Sequence, residues 1–324
     1  MPRALVCTAL SDDLSGVEIA EVPRVTLQSG EARVRVRAAA LNFPDLLMTQ
    51  GKYQLKPPLP FSPGMEASGE VIECAEDVQK VRVGDAVVVG ARYGLMAEEA
   101  VLPAASLRPK PKAMSWAEAA SFSTAWITAY VSLVRVARLE AGETLLVHGG
   151  AGGVGMAALD LGRILGARVI ATASTEEKRA LLRARGAALA LAPSGFRDAV
   201  KDATNGRGAD VVFDPVGGDA FDESTRAIAF GGRLLVVGFA SGRIPELSAN
   251  IALIKGFAVM GVRAGEFGRQ FPEKGRENWA ALQTMAEAGQ IKPHIGMTAR
   301  LDDAKALFQA MMERRVVGKA VVEM

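Results

Sequence analysis

The chain reads as an α/β protein built on a doubly wound parallel sheet, with a second lobe rich in β-structure. Three observations predict this. Short strand-and-turn patterns fill the chain through residue 110, strands alternate regularly with helices of ten or so residues after Gly142, and the first of those strands runs into a glycine-rich turn. With 324 residues the chain is near twice the ~150-residue prior for one domain, which suggests two domains able to bury roughly three quarters of their unfolded surface.

In the first lobe, Glu31-Ala32-Arg33-Val34-Arg35-Val36-Arg37 alternates apolar and charged residues, the period of a strand, and Val83 to Gly90 is an apolar run bracketed by glycines. Pro57, Pro58, Pro60 and Pro63 mark a loop between them. Ser115 and Glu118 have capping-box spacing and open a helical stretch toward Tyr130 and Val136, where the domain junction is expected. Strands are then predicted at Thr144–Val147, Arg168–Thr172, Leu189–Leu191, Asp210–Phe213 and Arg233–Val237. Helices are predicted at Val154–Leu165, Glu176–Arg185, Phe196–Ala203 and Ala220–Ala229. Such alternation calls for right-handed crossovers with helices on both faces of a parallel sheet. Helices at Gly275–Gly289 and Asp302–Arg314 precede a final strand, Lys319–Val322, that can return to the first lobe.

Composition removes several function classes. The 38 Lys and Arg balance 36 Asp and Glu, a net charge of +2 spread without a basic stripe, so no nucleic-acid partner is expected. Two cysteines (Cys7, Cys74) and two histidines (His148, His294), with no C-x-x-C, leave no disulfide framework or structural zinc cluster. Neither a secretory-signal pattern nor an apolar run of about 18 residues is present, so no membrane association and a cytoplasmic location are expected.

The strand Leu145-Leu146-Val147 leads into His148-Gly149-Gly150-Ala151-Gly152-Gly153-Val154-Gly155, in which Gly150, Gly152 and Gly155 have G-x-G-x-x-G spacing. A tight turn, close backbone approach to a pyrophosphate and close helix packing each need a missing Cβ, and the following helix offers free N–H groups to phosphate. Its place between strand and helix raises this pattern above a merely glycine-rich turn, and Gly150, Gly152, Gly153, Val154 and Gly155 become cofactor candidates. An NAD site usually carries an acid at the end of the second strand. Here Ala171-Thr172-Ala173-Ser174-Thr175-Glu176-Glu177-Lys178 places none there. An acid beside a 2′-phosphate would cost about 4 kcal/mol per unit-charge product at about 4 Å and an effective dielectric of about 20. Ser174 and Lys178 can instead hold that phosphate, with Arg179 as a further counter-charge, so NADPH is the expected cofactor. The same residues admit a structural reading, Ser174 and Glu177 as a capping box and Lys178 as a solvated helix charge.

With these residues in view, the chain resembles the medium-chain dehydrogenase/reductase superfamily over essentially its full length, and within it the zinc-free NADPH:quinone oxidoreductases similar to zeta-crystallin. The resemblance is carried by Ala39 to Asp45, Gly51-Lys52-Tyr53, Pro63 to Gly69, Gly84 to Val87, the glycine loop, Asp214-Pro215-Val216-Gly217-Gly218 and Gly318 to Val322. It implies a GroES-like catalytic domain from residues 1–122 and 265–324, a Rossmann domain from 123–264, and a homodimer formed through the edge strand Phe257 to Val262. Zinc-dependent members carry a ligand cysteine near the position of Asn42 and Gly-His-Glu where this chain has Gly64-Met65-Glu66. An amide and a thioether are poor replacements for thiolate and imidazole, so no metal is expected.

The resemblance also places Asn42, Asp45 and Tyr53 beside the nicotinamide and acceptor, Thr128 near nicotinamide and pyrophosphate, and Gly238 and Phe239 in the nicotinamide-side loop. Tyr53 can donate to a developing oxyanion and Asn42 can orient substrate or cofactor. Structural readings stand beside these: Tyr53 as a loop-packing aromatic, Asn42 as a turn residue, Asp45 as a helix cap after Pro44, and the stretch at Gly238 as a plain exit from a strand. One departure is that relatives often have an Asn-Tyr pair near the adenine phosphate where this chain has Leu191-Ala192-Pro193. His148 reads as a turn or packing histidine. The expected activity is hydride transfer from NADPH to a quinone or similar conjugated acceptor. Reduction of an activated C=C bond, as in an enoyl or acrylyl thioester, is the alternative within enzymes. A non-enzymatic NADPH-binding role, crystallin-like or RNA-binding, is the alternative outside them.

Overall fold

The computed structural model describes all 324 residues, which divide into two compact units: Met1–Thr124 with Lys292–Met324, and Ala125–Ile291. The first unit opens with a two-stranded antiparallel ribbon, β1 (Arg3–Cys7) and β2 (Val17–Glu21). It continues through β3 (Glu31–Leu41), α1 (Phe43–Thr49), β4 (Glu66–Cys74), β5 (Ala86–Gly90), β6 (Glu99–Pro103), β7 (Arg108–Pro109) and α2 (Trp116–Ala120). The charged alternation of residues 31–37 continues into Ala38-Ala39-Ala40, which are fully buried, because β3 is central and pairs with β4 and β6. Pro44 opens α1, where its missing N–H costs nothing, and the Ser115–Glu118 capping box opens α2 as the spacing predicts.

The second unit begins within α3 (Ser123–Tyr130), which runs into a π-helical turn at Val131–Val136. Then follow β8 (Thr144–Val147), α4 (Gly153–Ile164), β9 (Arg168–Thr172), α5 (Glu176–Ala184), β10 (Leu189–Leu191), α6 (Phe196–Ala203), β11 (Ala209–Asp214), α7 (Gly218–Ala227), β12 (Ile228–Val236), α8 (Ala249–Lys255), β13 (Ala258–Gly261), α9 (Ala264–Gln270) and α10 (Pro272–Glu287). The strands form one six-stranded parallel sheet in the order β10-β9-β8-β11-β12-β13. β8 is buried at every residue, as a central parallel strand covered on both faces must be. The chain order reverses beside β8, and ligands of open α/β sheets bind at the carboxyl ends of strands near such a reversal.

The chain then returns to the first unit through β14 (Ile295–Arg300), α11 (Ala304–Met312) and β15 (Lys319–Glu323). β15 lies antiparallel to β3 and parallel to β14, completing a seven-stranded sheet, so the predicted closing strand does join the first lobe. The return comes at residue 292 rather than 265. Residues 265–291 stay with the second unit because α10 docks on the π-helical turn: Arg135 Nε donates to Asn278 Oδ1 and its Nη2 to Glu277 Oε2, each at 2.7 Å, while Leu282 and Ala286 are buried. No helix is long and apolar enough to cross a membrane.

Candidate active site

Each glycine of the loop after β8 has its own reason. A Cβ at Gly155 would lie 2.3 Å from the carbonyl oxygen of Gly149, and one at Gly150 would press Leu182 and Ala171 at 3.0 and 3.1 Å, so these two let loop, helix and sheet close on one another. Gly152 is different. It is exposed, has ordinary extended dihedrals as the N-cap of α4, and a Cβ there would meet nothing closer than 3.4 Å. Nothing inside the protein requires glycine at Gly152, whereas an approaching pyrophosphate does. The loop is pinned by Gly150 N–H donating to Thr172 O and Gly152 N–H to Gly149 O, both at 2.9 Å. The first-turn N–H groups of Gly153, Val154 and Gly155 are those that helix geometry leaves without an internal acceptor. The cradle fits a dinucleotide's diphosphate.

Behind the loop, His148 is fully buried, and burial pushes its imidazole down to about 3, so it is neutral. Its Nδ1 lies 3.1 Å from Thr172 Oγ1 and its Nε2 lies 2.7 Å from Ser224 Oγ. Because Ser224 gives its proton to Ala220 O at 2.6 Å, Nε2 is the donor and Nδ1 accepts from Thr172. The packing reading of His148 is therefore the one the structure shows: it joins the ends of β8 and β9 to α7.

At the end of β9, Ser174 is exposed and no carboxylate occupies the strand end. The N-cap of α5 is Thr175, not Ser174: its Oγ1 accepts from Lys178 N at 3.3 Å, because the helix starts one residue later than the Ser174–Glu177 spacing suggests. Two acids follow this corner: Glu177, held below the usual range by its own backbone N–H and the Thr175 hydroxyl, and Glu176. Arg183 and Arg179 bond to Glu176 and hold its carboxyl below the usual range, so its charge is compensated. Arg179 also donates to Ala173 O at 3.0 Å, folding back toward the strand end.

Beyond β11 the motif Asp214-Pro215-Val216-Gly217-Gly218 is a turn closed on a buried acid. Asp214 Oδ1 accepts from Val216 N at 2.8 Å and Gly217 N at 2.9 Å, and burial raises its pKa. Gly217 and Gly218 have φ of 68° and 57°, which favours glycine. After β12, Val237 N–H and Gly238 N–H both donate to Asp214 O, and a Cβ on Gly217 would meet Phe239 Cδ1 at 3.1 Å. Gly238 and Phe239 are thus held at the sheet's carboxyl edge.

In the first unit, the register of three neighbouring strands gathers a buried polar cluster. Ala320 faces Leu41 and Ala40 faces Glu66, so Lys319, Asn42 and Glu66 meet at one end of β15, β3 and β4. Lys319 Nζ donates to Asn42 Oδ1 at 2.6 Å and to Glu66 Oε1 at 2.7 Å, and Asn42 Nδ2 donates to Glu66 Oε1 at 3.1 Å. Glu66 Oε2 accepts from Ser123 Oγ at 2.8 Å and Thr124 N at 2.7 Å. Burial alone would raise the Glu66 pKa, but Lys319 and these bonds outweigh it and keep the carboxyl below its usual range. Asp45 caps α1: Oδ2 accepts from Asn42 N at 2.8 Å, and Oδ1 from Gly64 N at 3.0 Å. It has no exposed surface, and burial pushes it up to about 7 against those two bonds and Lys319. The helix-cap reading of Asp45 is what this geometry shows, since both oxygens are occupied. Tyr53 is half-buried in the loop after α1, its ring against the hydrophobic core. Thr128 lies half-buried on α3, and its carbonyl accepts from Ser132 Oγ at 2.7 Å where the π-helical turn begins.

The donor set at the metal position of zinc-dependent relatives does not suit zinc. Asn42 presents an amide, Met65 a thioether, and Glu66 is already paired with an ammonium. Sequence reasoning passed over Glu66 and Lys319 as site residues. The signals were present: Glu66 sits inside the quoted Pro63–Gly69 stretch, and Lys319 opens a strand whose middle, Ala320-Val321-Val322, is apolar and buried.

Residues 28–112 match the alcohol dehydrogenase GroES-like domain family, and residues 153–287 the zinc-binding dehydrogenase family. A quinone oxidoreductase-like protein 2 homolog from Nematostella vectensis is 37% identical over 99% of this chain and 88% of its own length. A mycobacterial protein whose structure is described as complexed with NADPH is 30% identical, with a TM-score of 0.92 over 99% of this chain and 100% of that one. The CurK enoyl reductase, 24% identical over 99% of each chain with a TM-score of 0.90, shares the fold. These matches agree with the glycine cradle, the GroES-like sheet closed by β15 and the ordered ends of β9, β11 and β12. The chain belongs to the medium-chain dehydrogenase/reductase family, as an oxidoreductase with quinone oxidoreductase-like relatives.

Proposed function

We propose that the protein is an NADPH-dependent reductase of quinones or similar conjugated carbonyl acceptors that works without a metal. The observation that carries this reading is the cofactor cradle: an exposed Gly152 with no internal need for glycine, followed by a β9 end that carries no carboxylate and beyond which Glu176 is paired with two arginines. When bound, the dihydronicotinamide supplies hydride from its C4. The first turn of α4 binds the diphosphate through backbone N–H groups and the helix dipole. Ser174 donates to the 2′-phosphate and Lys178 supplies charge. Gly238 and Phe239 meet the carboxamide through their backbone, and the Thr128 hydroxyl steadies nicotinamide and pyrophosphate.

Asn42 has little left to donate, since its Nδ2 faces Glu66 Oε1 and, at 3.4 Å, Ala40 O. Its Oδ1 retains one lone pair beside the Lys319 bond, so Asn42 acts as an acceptor that orients a cofactor hydroxyl rather than as an oxyanion donor. That leaves the Tyr53 phenol as the donor toward the acceptor oxygen. With no Lewis acid available from Asn42 and Met65, an acceptor that delocalises incoming charge is the one this site can reduce, mainly by holding two rings in contact. Turnover compared across quinones, simple enones and enoyl thioesters tests the reading. Oxidation of NADPH by quinones supports it, and turnover confined to thioesters replaces it with C=C reduction.

We also propose a homodimer through β13, which pairs with β12 on one side only. Val259 on that strand is 40% exposed, and Leu253 and Ile254 on the preceding α8 are 82% and 74% exposed, an apolar surface that a second copy would cover.

A further inference from the structure

We propose that Lys319 is a positioning residue for NADPH binding: through its pair with Glu66 it fixes both the carboxylate that caps the first turn of α3 and the amide of Asn42. The inference rests on the NADPH reading above, and its residues are ones that reading leaves without a role.

Glu66 has no exposed surface and Lys319 is 5% exposed, so each charge depends on the other in place of water. The carboxylate divides its work between its two oxygens. Oε1 takes the Lys319 ammonium and the Asn42 amide; Oε2 takes Ser123 Oγ and Thr124 N, the first residues of the helix that carries Thr128 one turn later. A negative charge there also complements the positive end of that helix. Lys319 has a second effect on Asn42. With an ammonium on Oδ1 and a carboxylate on Nδ2, the amide has one orientation; without the ammonium it is held by the carboxylate alone, and once Glu66 is protonated its oxygen and nitrogen can exchange places. One ammonium thus sets, on two different elements, groups to which the NADPH reading gives a cofactor role.

The charged and titratable groups around Glu66 are few. Lys319 on β15 is the cation acting on it, and Asp45 on α1 is a second carboxyl that feels both Lys319 and Glu66. Removing Lys319 leaves two buried carboxyl groups and no counter-charge, and Glu66 then takes up a proton near neutrality, as isolated buried glutamates do. Protonation weakens the cap on α3. Deprotonation at higher pH restores it.

The test measures NADPH affinity by cofactor fluorescence in wild type, Lys319→Met, Lys319→Arg and the double variant Glu66→Gln/Lys319→Met, from about pH 6 to about pH 9. Melting curves of each protein accompany the titrations. Wild-type affinity is expected to change little with pH. Lys319→Met is expected to bind about tenfold more weakly near pH 7 and to recover as pH rises, while Lys319→Arg stays within about threefold of wild type. The double variant, which buries no unpaired charge and keeps the assay informative if Lys319→Met does not fold, is expected to be weakened about fivefold at every pH. Wild-type affinity in Lys319→Met or in the double variant overturns the proposal. So does a loss in Lys319→Met that is the same at every pH. Failure of the wild type to bind NADPH refutes the functional reading instead, which separates the two claims.

Discussion

Gly152 and Gly155 stand three residues apart, at the N-cap and in the first turn of α4, yet substitution separates them. Gly152→Ala places its Cβ in ordinary contact, so stability should hold while NADPH affinity falls by about tenfold or more. Gly155→Ala sets a Cβ 2.3 Å from Gly149 O and should cost about 1–3 kcal/mol of stability. Melting curves with and without NADPH distinguish the two. Asp45 gives a pH prediction. Its folded pKa of about 7 lies above its ordinary 3.8, so the native state holds the extra proton between those values. Stability from this group is therefore present at low pH and lost as pH rises through that window. Asp45→Asn removes the slope and leaves one backbone N–H facing an amide NH₂, at a cost of about 1–3 kcal/mol. Melting temperatures of both proteins between pH 4 and pH 7 should converge as pH rises. At this scale the sequence singled out residues more readily than it assigned their contacts. Asn42 and Asp45 were singled out from the sequence, but the fate of their oxygens depends on Gly64, Glu66 and Lys319, which only the fold brings to them.

Among the elements, the parallel sheet was the most legible. β8, β9 and β10 fall at the predicted residues because short apolar runs bounded by glycine and helical caps have few alternative readings. The start of α5 was less so. Ser174 and Thr175 are both competent caps, and the choice of Thr175 leaves Ser174 exposed at the strand end. That position is where a 2′-phosphate is expected, and it makes Lys178 testable. Lys178→Ala should weaken NADPH by about tenfold and leave NADH unchanged, since a charge-assisted bond is worth about 1.5–3 kcal/mol. Equal loss for both cofactors would show that Lys178 supports α5 rather than the phosphate. The π-helical turn after α3 had no periodic signature, because one inserted residue does not alter an apolar pattern over so short a stretch.

For the whole molecule, the return of the chain to its first unit was legible and its position was not. α9 and α10 carry no alternation that assigns them to either unit; the bonds from Arg135 to Glu277 and Asn278 do so. The proposed dimer predicts that Val259→Lys, which charges the open edge of β13, yields a monomer by sedimentation with an unchanged melting profile in the rest of the fold. The central claim concerns metal-free reduction of a quinone by NADPH. Its most direct measurement is the oxidation of NADPH by a naphthoquinone with protein dialysed against chelator. Turnover that survives chelation and exceeds turnover with NADH is the predicted result. No turnover with any quinone, or activity that returns only when zinc is added, would contradict it.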